Sequence, residues 1–548
     1  MADKRALVDT VQTRMAVSRR TPAHTLPMTD ARRLLPTFLV CLALLPLAAA
    51  DRPNVVVILC DDLGYGDVRC LNPDGKIATP NLDRLAAEGM RFTDAHSGSG
   101  VCTPTRYGLI TGRYAWRSRL KNGVLGGMSP PLIEEGRQTI AHLLAKQGYA
   151  TACIGKWHLG MSWVQKPGTP AFGDNIEKGS DGWNADFTQA ITRGPTTVGF
   201  ARYFGISASL DMVPYVFIDN DRVAAVPDID LSFPMIASDE APKGGTRKGP
   251  GITGFTADHV LPTLTRIALT WIDEQAAAKK PFFLYLPLNS PHTPVAPSAT
   301  WKGKSGISPY ADFVMETDAA VGEVLAALDR SGVAKDTLVI VSSDNGFSPA
   351  GDLKAQLDKG HNPNYRFRGH KADLFEGGHR VPFIARWPAT VAANSTSARL
   401  VCLTDIIATC AEITGQRLAD NMGEDSVSFL PALRGLEGGR TDVIHHSING
   451  SFAIRAGRWK LLVAPDSGGW SAPKPGSPEA KGLPPIQLYD LVADLAETTN
   501  RQAEQPQIVR DLLGMLEHQA AEGRSTPGPA QTNHGTVDIW KGKKPTLP

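Results

Sequence analysis

Residues 54–67, NVVVILCDDLGYGD, decide how this chain folds. After Asn54 an unbroken aliphatic run leads straight into two aspartates and a glycine-rich turn. A continuous apolar run of this length, bounded by turn residues, fits a strand covered on both faces, as in the parallel sheet of an α/β protein. FFLYLPL at 282–288 and TLVIVSS at 337–343 repeat the pattern, and the shorter TACI at 151–154 makes a fourth. Helical patterns alternate with these runs. Thr79 is placed to cap the first, with Pro80 in its opening turn and Gly89 at its end; others fit 137–147, 258–278 and 311–330, the last closed by Gly332.

Ligands of open parallel sheets bind outside the carboxyl ends of the strands. Here those ends are polar. Asp61 and Asp62 follow the first run, Asp344 and Asn345 follow TLVIVSS, NSPH ending in His292 follows FFLYLPL, and GKWHLG with Lys156 and His158 follows TACI. Any one of these clusters reads as a simple turn or helix cap. Four at one sheet edge read as a site. Asp61, Asp62, Asp344 and Asn345 offer only hard oxygen donors, which suits calcium better than zinc or iron, with magnesium the second choice because it usually keeps several waters.

The pattern changes after about residue 436. FAIRAGRWKLLVA reads as a hairpin, followed by a Pro- and Gly-rich loop from Pro465 to Pro485, the short run QLYDL and a helix over about 504–520. We therefore expect a catalytic domain over 51–436 and a smaller antiparallel α+β domain with an irregular tail over 437–548. Segments 165–181 and 237–252 read as long loops of the kind that often serve function.

Arg32 and Arg33 precede an apolar stretch from Leu34 to Leu47 and then Ala48, Ala49 and Ala50, the layout of a secretory signal peptide cleaved before Asp51. The stretch is short for a spanning helix and carries Pro36 and Pro46, so it predicts an exported, periplasmic or secreted protein without a stable membrane anchor. The segment from Met28 is a complete signal by itself, which leaves Met1 and Met28 both open as starts. A net charge of +2 over 548 residues, with no run of Lys and Arg, gives no footprint for nucleic acid. The seven cysteines lose Cys41 with the signal; Cys402 and Cys410, read as lying on one helix, would stand about 12 Å apart and could not bond. This is not a disulfide scaffold.

The remaining cluster is SGSGVCTPTRYGLITGRY. Pro104 fits the first turn of a helix reaching Thr111, which puts Cys102 just before a helix N-terminus, where backbone N–H groups favour an anion. A tyrosine phosphatase loop is excluded, because five residues separate its cysteine and arginine and only three separate Cys102 and Arg106. CTPTR followed by LITGR instead resembles the signature of the formylglycine sulfatases of the alkaline phosphatase superfamily. DDLGYGD, GKWHLG, SPH, SDNG, EGGHRVPFIARWP, RAGRWKLL and LYDL match the same family in order, over nearly the whole mature chain.

That resemblance implies a large, mostly parallel sheet between helices and a sulfuric ester hydrolase of the arylsulfatase type. It implies one calcium ion held by Asp61, Asp62, Asp344 and Asn345, with Cys102, oxidised to formylglycine by a formylglycine-generating enzyme, completing the shell and serving as nucleophile. It further implies that Arg106 holds the aldehyde hydrate, that His158 takes the hydrate proton and that His292 protonates the leaving group. Lys156, His158, His292 and Lys371 would contact sulfate or leaving group, and Ser209 in FGISASLD would donate to the hydrate or sulfate. Ala496 stands where many relatives have proline. The mechanism needs two hydroxyls on one carbon, one to attack sulfur and one to release sulfate, which serine lacks. Three aspartates would repel an anionic ester and three cations only cancel them, so the metal makes the site attractive. The rival readings are a phosphonate monoester or phosphodiester hydrolase of the same superfamily and an inactive sulfate-ester-binding protein. The substrate expected is a small or oligosaccharide sulfate ester, with Trp157, Trp183, Arg119, Lys121 and His370 the candidates for a sugar subsite.

Overall fold

The computed structural model describes residues 52–174, 179–236, 244–542, 544 and 545. The signal segment expected at 32–50 lies outside them. Among the described residues no helix is long and apolar enough to cross a membrane.

The aliphatic runs do form strands, and they lie side by side. Thr337–Ser343, Asn54–Cys60, Phe282–Pro287, Ala150–Lys156 and Arg202–Ile206 run parallel in that spatial order at the centre of a ten-stranded sheet. Phe383–Arg386, Met90–Phe92 and Ser395–Ser397 extend it on one side, and Ile218–Asp219 and Arg222–Val223 on the other, each pairing antiparallel with the strand before it except Ser395–Ser397, which pairs parallel. Side chains alternate between faces along a strand, so Val55, Val57 and Leu59 enter one core while Val56, Ile58 and Cys60 enter the other. Cys102–Thr111, Ile140–Ala145 and Ile406–Ile413 cover the first face. Pro80–Ala87, Val260–Ala277 and Pro309–Arg330 cover the second.

A separate four-stranded antiparallel sheet follows, built from Asp442–His446, Phe452–Ala456, Trp459–Leu462 and Gln487–Asp490. The expected hairpin is there, with Ala456 paired to Trp459. Pro506–Ala521 packs its Val509, Leu512, Leu513 and Leu516 stripe on this sheet.

Two local expectations are corrected. Thr79 occupies the N-cap position, but its hydroxyl accepts from Arg69 N; the helix N–H groups of Asn81 and Leu82 go instead to the Asp318 carboxylate, on another helix, at 2.8–3.1 Å. A carboxylate answers these donors better than a hydroxyl. Cys402 ends a short strand, Val401–Cys402, and only Cys410 is on the following helix. Among the described residues every cysteine is a free thiol.

The junction between the sheets is polar. His445, Arg455 and Lys460 from the small sheet meet Asp94, His96, Glu376 and His379 from the large domain, and Glu497 from the segment after Gln487–Asp490. Arg455 pairs with Asp94 at 2.6 Å, Asp94 contacts His96 at 2.9 Å, and Lys460 bonds Glu376 and Glu497 at 2.9 Å each. The His379 and His445 rings stack at 3.5 Å and 11°. The ring nitrogens of His96 and His379 are taken up by one another, by Asp94, by the Leu374 carbonyl and by Lys460, and His445 Nδ1 by the Ser97 carbonyl, so the trio of His96, His379 and His445 serves as a hydrogen-bonded junction.

Burial first, and neighbouring cations and histidines after it, hold His379 and His445 well below the ordinary imidazole range; burial likewise lowers His96. Neutral when folded, these rings take up protons on unfolding below about pH 6.5. Their contribution to stability is therefore complete above that pH and is lost on acidification, partly offset by Glu497, which burial raises to about 7. We expect the urea midpoint to fall from pH 7 to pH 5. A His445→Phe protein should fall less steeply, by up to about 1.4 kcal/mol per pH unit.

Two glycines set the spacing of the strands that carry Lys156 and the turn after it. A Cβ on Gly205 would lie 1.8 Å from the Gly155 carbonyl oxygen, and one on Gly155 would lie 1.9 Å from that of Pro287. Gly205→Ala should cost about 1–3 kcal/mol by forcing these strands apart and lower turnover along with it, measured by denaturation and initial rates.

Candidate active site

The five parallel strands end at one edge, and the expected residues meet there. Asp61 and Asp62 leave the central strand, Asp62 with a left-handed backbone at φ 67°. Asp344 and Asn345 leave the strand beside it, and the Asp344 carboxylate accepts from Asp62 N at 3.2 Å. Asn345 Nδ2 donates to Asp62 Oδ1 at 2.7 Å.

Cys102 is the first residue of the helix Cys102–Thr111 rather than the residue before it, and Pro104 lies in the first turn as expected. Arg106, four residues on, shares its face. That guanidinium is fully buried and donates to Asp344 Oδ2 at 2.7 and 3.1 Å and to the Lys156 carbonyl at 3.1 Å. Lys156 Nζ reaches Asp61 at 2.5 Å, and Lys371 Nζ reaches Asp62 at 2.7 Å. His292 Nε2 faces Asp62 at 3.6 Å while its Nδ1 donates to the Thr293 carbonyl.

The buried charges constrain one another. Burial would raise Asp61, but Lys156, His292, Arg106 and Lys371 together hold it well below the usual carboxylate range. Burial and then the Asp61 charge raise Asp344. Burial pushes the Cys102 thiol up to about 12 despite Lys156 and Lys371, so the encoded cysteine is a neutral thiol and a poor nucleophile at neutral pH.

His158 and Ser209 reach the same edge without touching the charged group. His158, left-handed at φ 57°, donates from Nε2 to the Leu125 carbonyl at 2.8 Å, which leaves Nδ1 without a partner. Burial, then Lys156 and Arg106, keep this imidazole neutral. Ser209 follows the fifth parallel strand, buried, with its hydroxyl unpartnered.

Donor atoms of Asp61, Asp62, Cys102 and His292 lie within 4.8 Å of one another. Asp61 Oδ1 and Asn345 Oδ1 are buried acceptors without a hydrogen bond. Unanswered carboxylate and amide oxygens at this sheet edge fit a hard cation.

Sequence reasoning passed over Asn289. It lies between the strand end and His292, is 3% exposed, and both polar ends of its amide are buried without a partner. The only signal was its place in NSPH. Of the expected sugar-subsite residues, Trp157 is in the core with its indole N–H on the Gly160 carbonyl. Arg119 is tied to Asp174 and to the carbonyls of Pro130 and Pro131, and Lys121 to the Trp116 carbonyl. Trp183 donates to Asp230.

The family described as Sulfatase matches residues 53–416. The chain is 32% identical over 504 residues to the N-acetylgalactosamine-6-O-sulfatase of Bacteroides thetaiotaomicron, covering 85% of this chain and 93% of that protein. It is 31% identical over 520 residues to arylsulfatase A of Bos taurus, covering 91% and 93%. A solved 6S-sulf structure, described with the metabolism of multiple glycosaminoglycans by Bacteroides thetaiotaomicron, superposes with a TM-score of 0.72 at 31% identity, covering 85% of this chain and 99% of that one. The phosphonate monoester hydrolase of Agrobacterium radiobacter shares the fold, with a TM-score of 0.54 at 20% identity over 85% of this chain and 94% of the other.

Proposed function

Since the chain belongs to the sulfatase family and is a sulfuric ester hydrolase, we propose that it desulfates saccharides, using Cys102 matured to formylglycine beside one calcium ion. The observation that carries this reading is the convergence of Asp61, Asp62, Cys102 and His292 within 4.8 Å, with Arg106, Lys156 and Lys371 against the same carboxylates. The saccharide follows from the name of the Bacteroides relative.

Asp61, Asp62, Asp344 and Asn345, with the matured residue 102, would hold calcium, which when bound would supply Lewis-acid charge at the nucleophile and the sulfate. The hydrated aldehyde supplies the two hydroxyls that attack and release require. Arg106, fixed by Asp344 and the Lys156 carbonyl, orients the hydrate from the same helix face. Lys156 and Lys371 bring the charge that holds sulfate oxygens, with the Ser209 hydroxyl as a further donor. The His292 Nδ1–H is held by the Thr293 carbonyl, which turns Nε2 inward; in the imidazolium form its Nε2–H gives the proton to the leaving oxygen and the ring is left neutral. The unpartnered His158 Nδ1 is the acceptor for the hydrate proton.

Maturation requires a formylglycine-generating enzyme as a partner. Export is supported by the Leu34–Leu47 stretch, and the division near residue 436 by the small sheet's start at Asp442.

Mass spectrometry of the peptide spanning Cys102 should show a loss of about 18 Da, the change from thiol to aldehyde. Cys102→Ala should abolish turnover and leave the melting temperature near that of wild type; retention of most activity would overturn the mechanism. Chelation should silence the enzyme, and calcium should restore it better than magnesium. Matched sulfate and phosphonate esters test the class of chemistry: cleavage of phosphonates with no sulfate ester turned over would sink the proposal.

A further inference from the structure

Among the described residues the large exposed hydrophobic side chains include one aromatic, Trp470, 39% exposed. Its loop is held closely. Asp373 Oδ1 accepts from Trp470 N at 2.7 Å and from Ser471 N at 3.1 Å, and Asp373 Oδ2 accepts from the Ser471 hydroxyl. Leu374 N donates to the Ser467 carbonyl at 2.8 Å. Gly469 lies flat on the Ala372–Asp373 backbone: a Cβ there would sit 2.5 Å from the Ala372 carbonyl carbon and oxygen. Gly468 is left-handed at φ 66°. A side chain at either position would lift the loop away.

The surface beneath is part of the site. Ala372, itself left-handed at φ 84°, donates to the Gly100 carbonyl at 2.7 Å, two residues before Cys102. Its neighbour Lys371 reaches Asp62. Three backbone layers therefore stack in the order Gly100, Ala372, Gly469. The Trp470 loop therefore touches the same backbone segment that bonds the nucleophile's own loop. Two tight glycines and a buried carboxylate thus fix the loop that carries a partly exposed indole against the segment that supplies Lys371. Exposing an indole forfeits apolar burial, and a rigid ring with few torsions loses little entropy when it binds.

We propose that Trp470 is a stacking platform for a pyranose ring of the substrate, and so a specificity-determining residue on the leaving-group side. The inference rests on the saccharide reading above. The occupant is a sugar because the neighbouring site already selects its ester, and a pyranose offers an apolar C–H face to an aromatic plane.

The test compares kcat/KM on a 6-O-sulfated N-acetylgalactosamine disaccharide with kcat/KM on p-nitrophenyl sulfate. In Trp470→Ala the saccharide-to-aryl ratio should fall about tenfold, mainly through KM, and Trp470→Phe should restore most of it. A ratio unchanged in Trp470→Ala, whether both activities hold or both fall alike, overturns the platform and leaves the saccharide reading intact. If the wild-type enzyme cleaves the aryl sulfate but no sulfated saccharide, the saccharide reading falls and takes the platform with it.

Discussion

Three carboxylates buried at the end of a parallel sheet are the constraint on which the site depends. Asp61, Asp62 and Asp344 cannot remain ionised out of water unless opposite charge reaches them, and each is met by a cation from a different part of the chain. Arg106 comes from the helix that begins at Cys102, Lys156 from the end of a parallel strand, and Lys371 from the loop before Glu376. The network ties elements far apart in sequence and in doing so assembles the surface proposed to carry the chemistry. Removing one cation would leave a buried charge unpaired, so folding and chemistry are hard to separate here.

Backbone strain accompanies this arrangement. Asp62, His158 and Ala372 all adopt the left-handed region that non-glycine residues avoid. Such conformations cost about 1–3 kcal/mol each and persist where the surroundings over-determine them. Around Ala372 those surroundings are visible: Gly100 below it and Ile448 beside it both bond its peptide. The same clamp that holds Lys371 in place carries the Gly468–Gly469 turn.

Much of this was legible in the chain because local pattern decided it. Aliphatic runs of strand length flanked by turns could be little else than buried parallel strands, and Asp-Asp-Leu-Gly and Asp-Asn-Gly at their ends marked the edge. What stayed hidden depended on distant partners. Nothing near Pro80 announces that Asp318 caps that helix, and nothing near Lys460 announces two glutamates and a histidine from elsewhere. Trp157 stands between Lys156 and His158 in sequence, yet its ring turns into the core, where an indole of that size finds more contact than at the rim. Trp470 sits in a Pro- and Gly-rich stretch that offered no periodicity to read; its role emerges only once Asp373 is seen to hold the loop.

The depth of Cys102 sets an order of events. Its side chain is 2% exposed, behind a closed helix N-terminus and a ring of ion pairs. On the proposed mechanism an external enzyme must take hold of this side chain and rebuild it, and no second protein can grip a residue so enclosed. The edit must therefore be written while the segment is still an open strand of polypeptide. Folding then seals whichever version it finds, so the proportion of working molecules is decided before any of them has a shape.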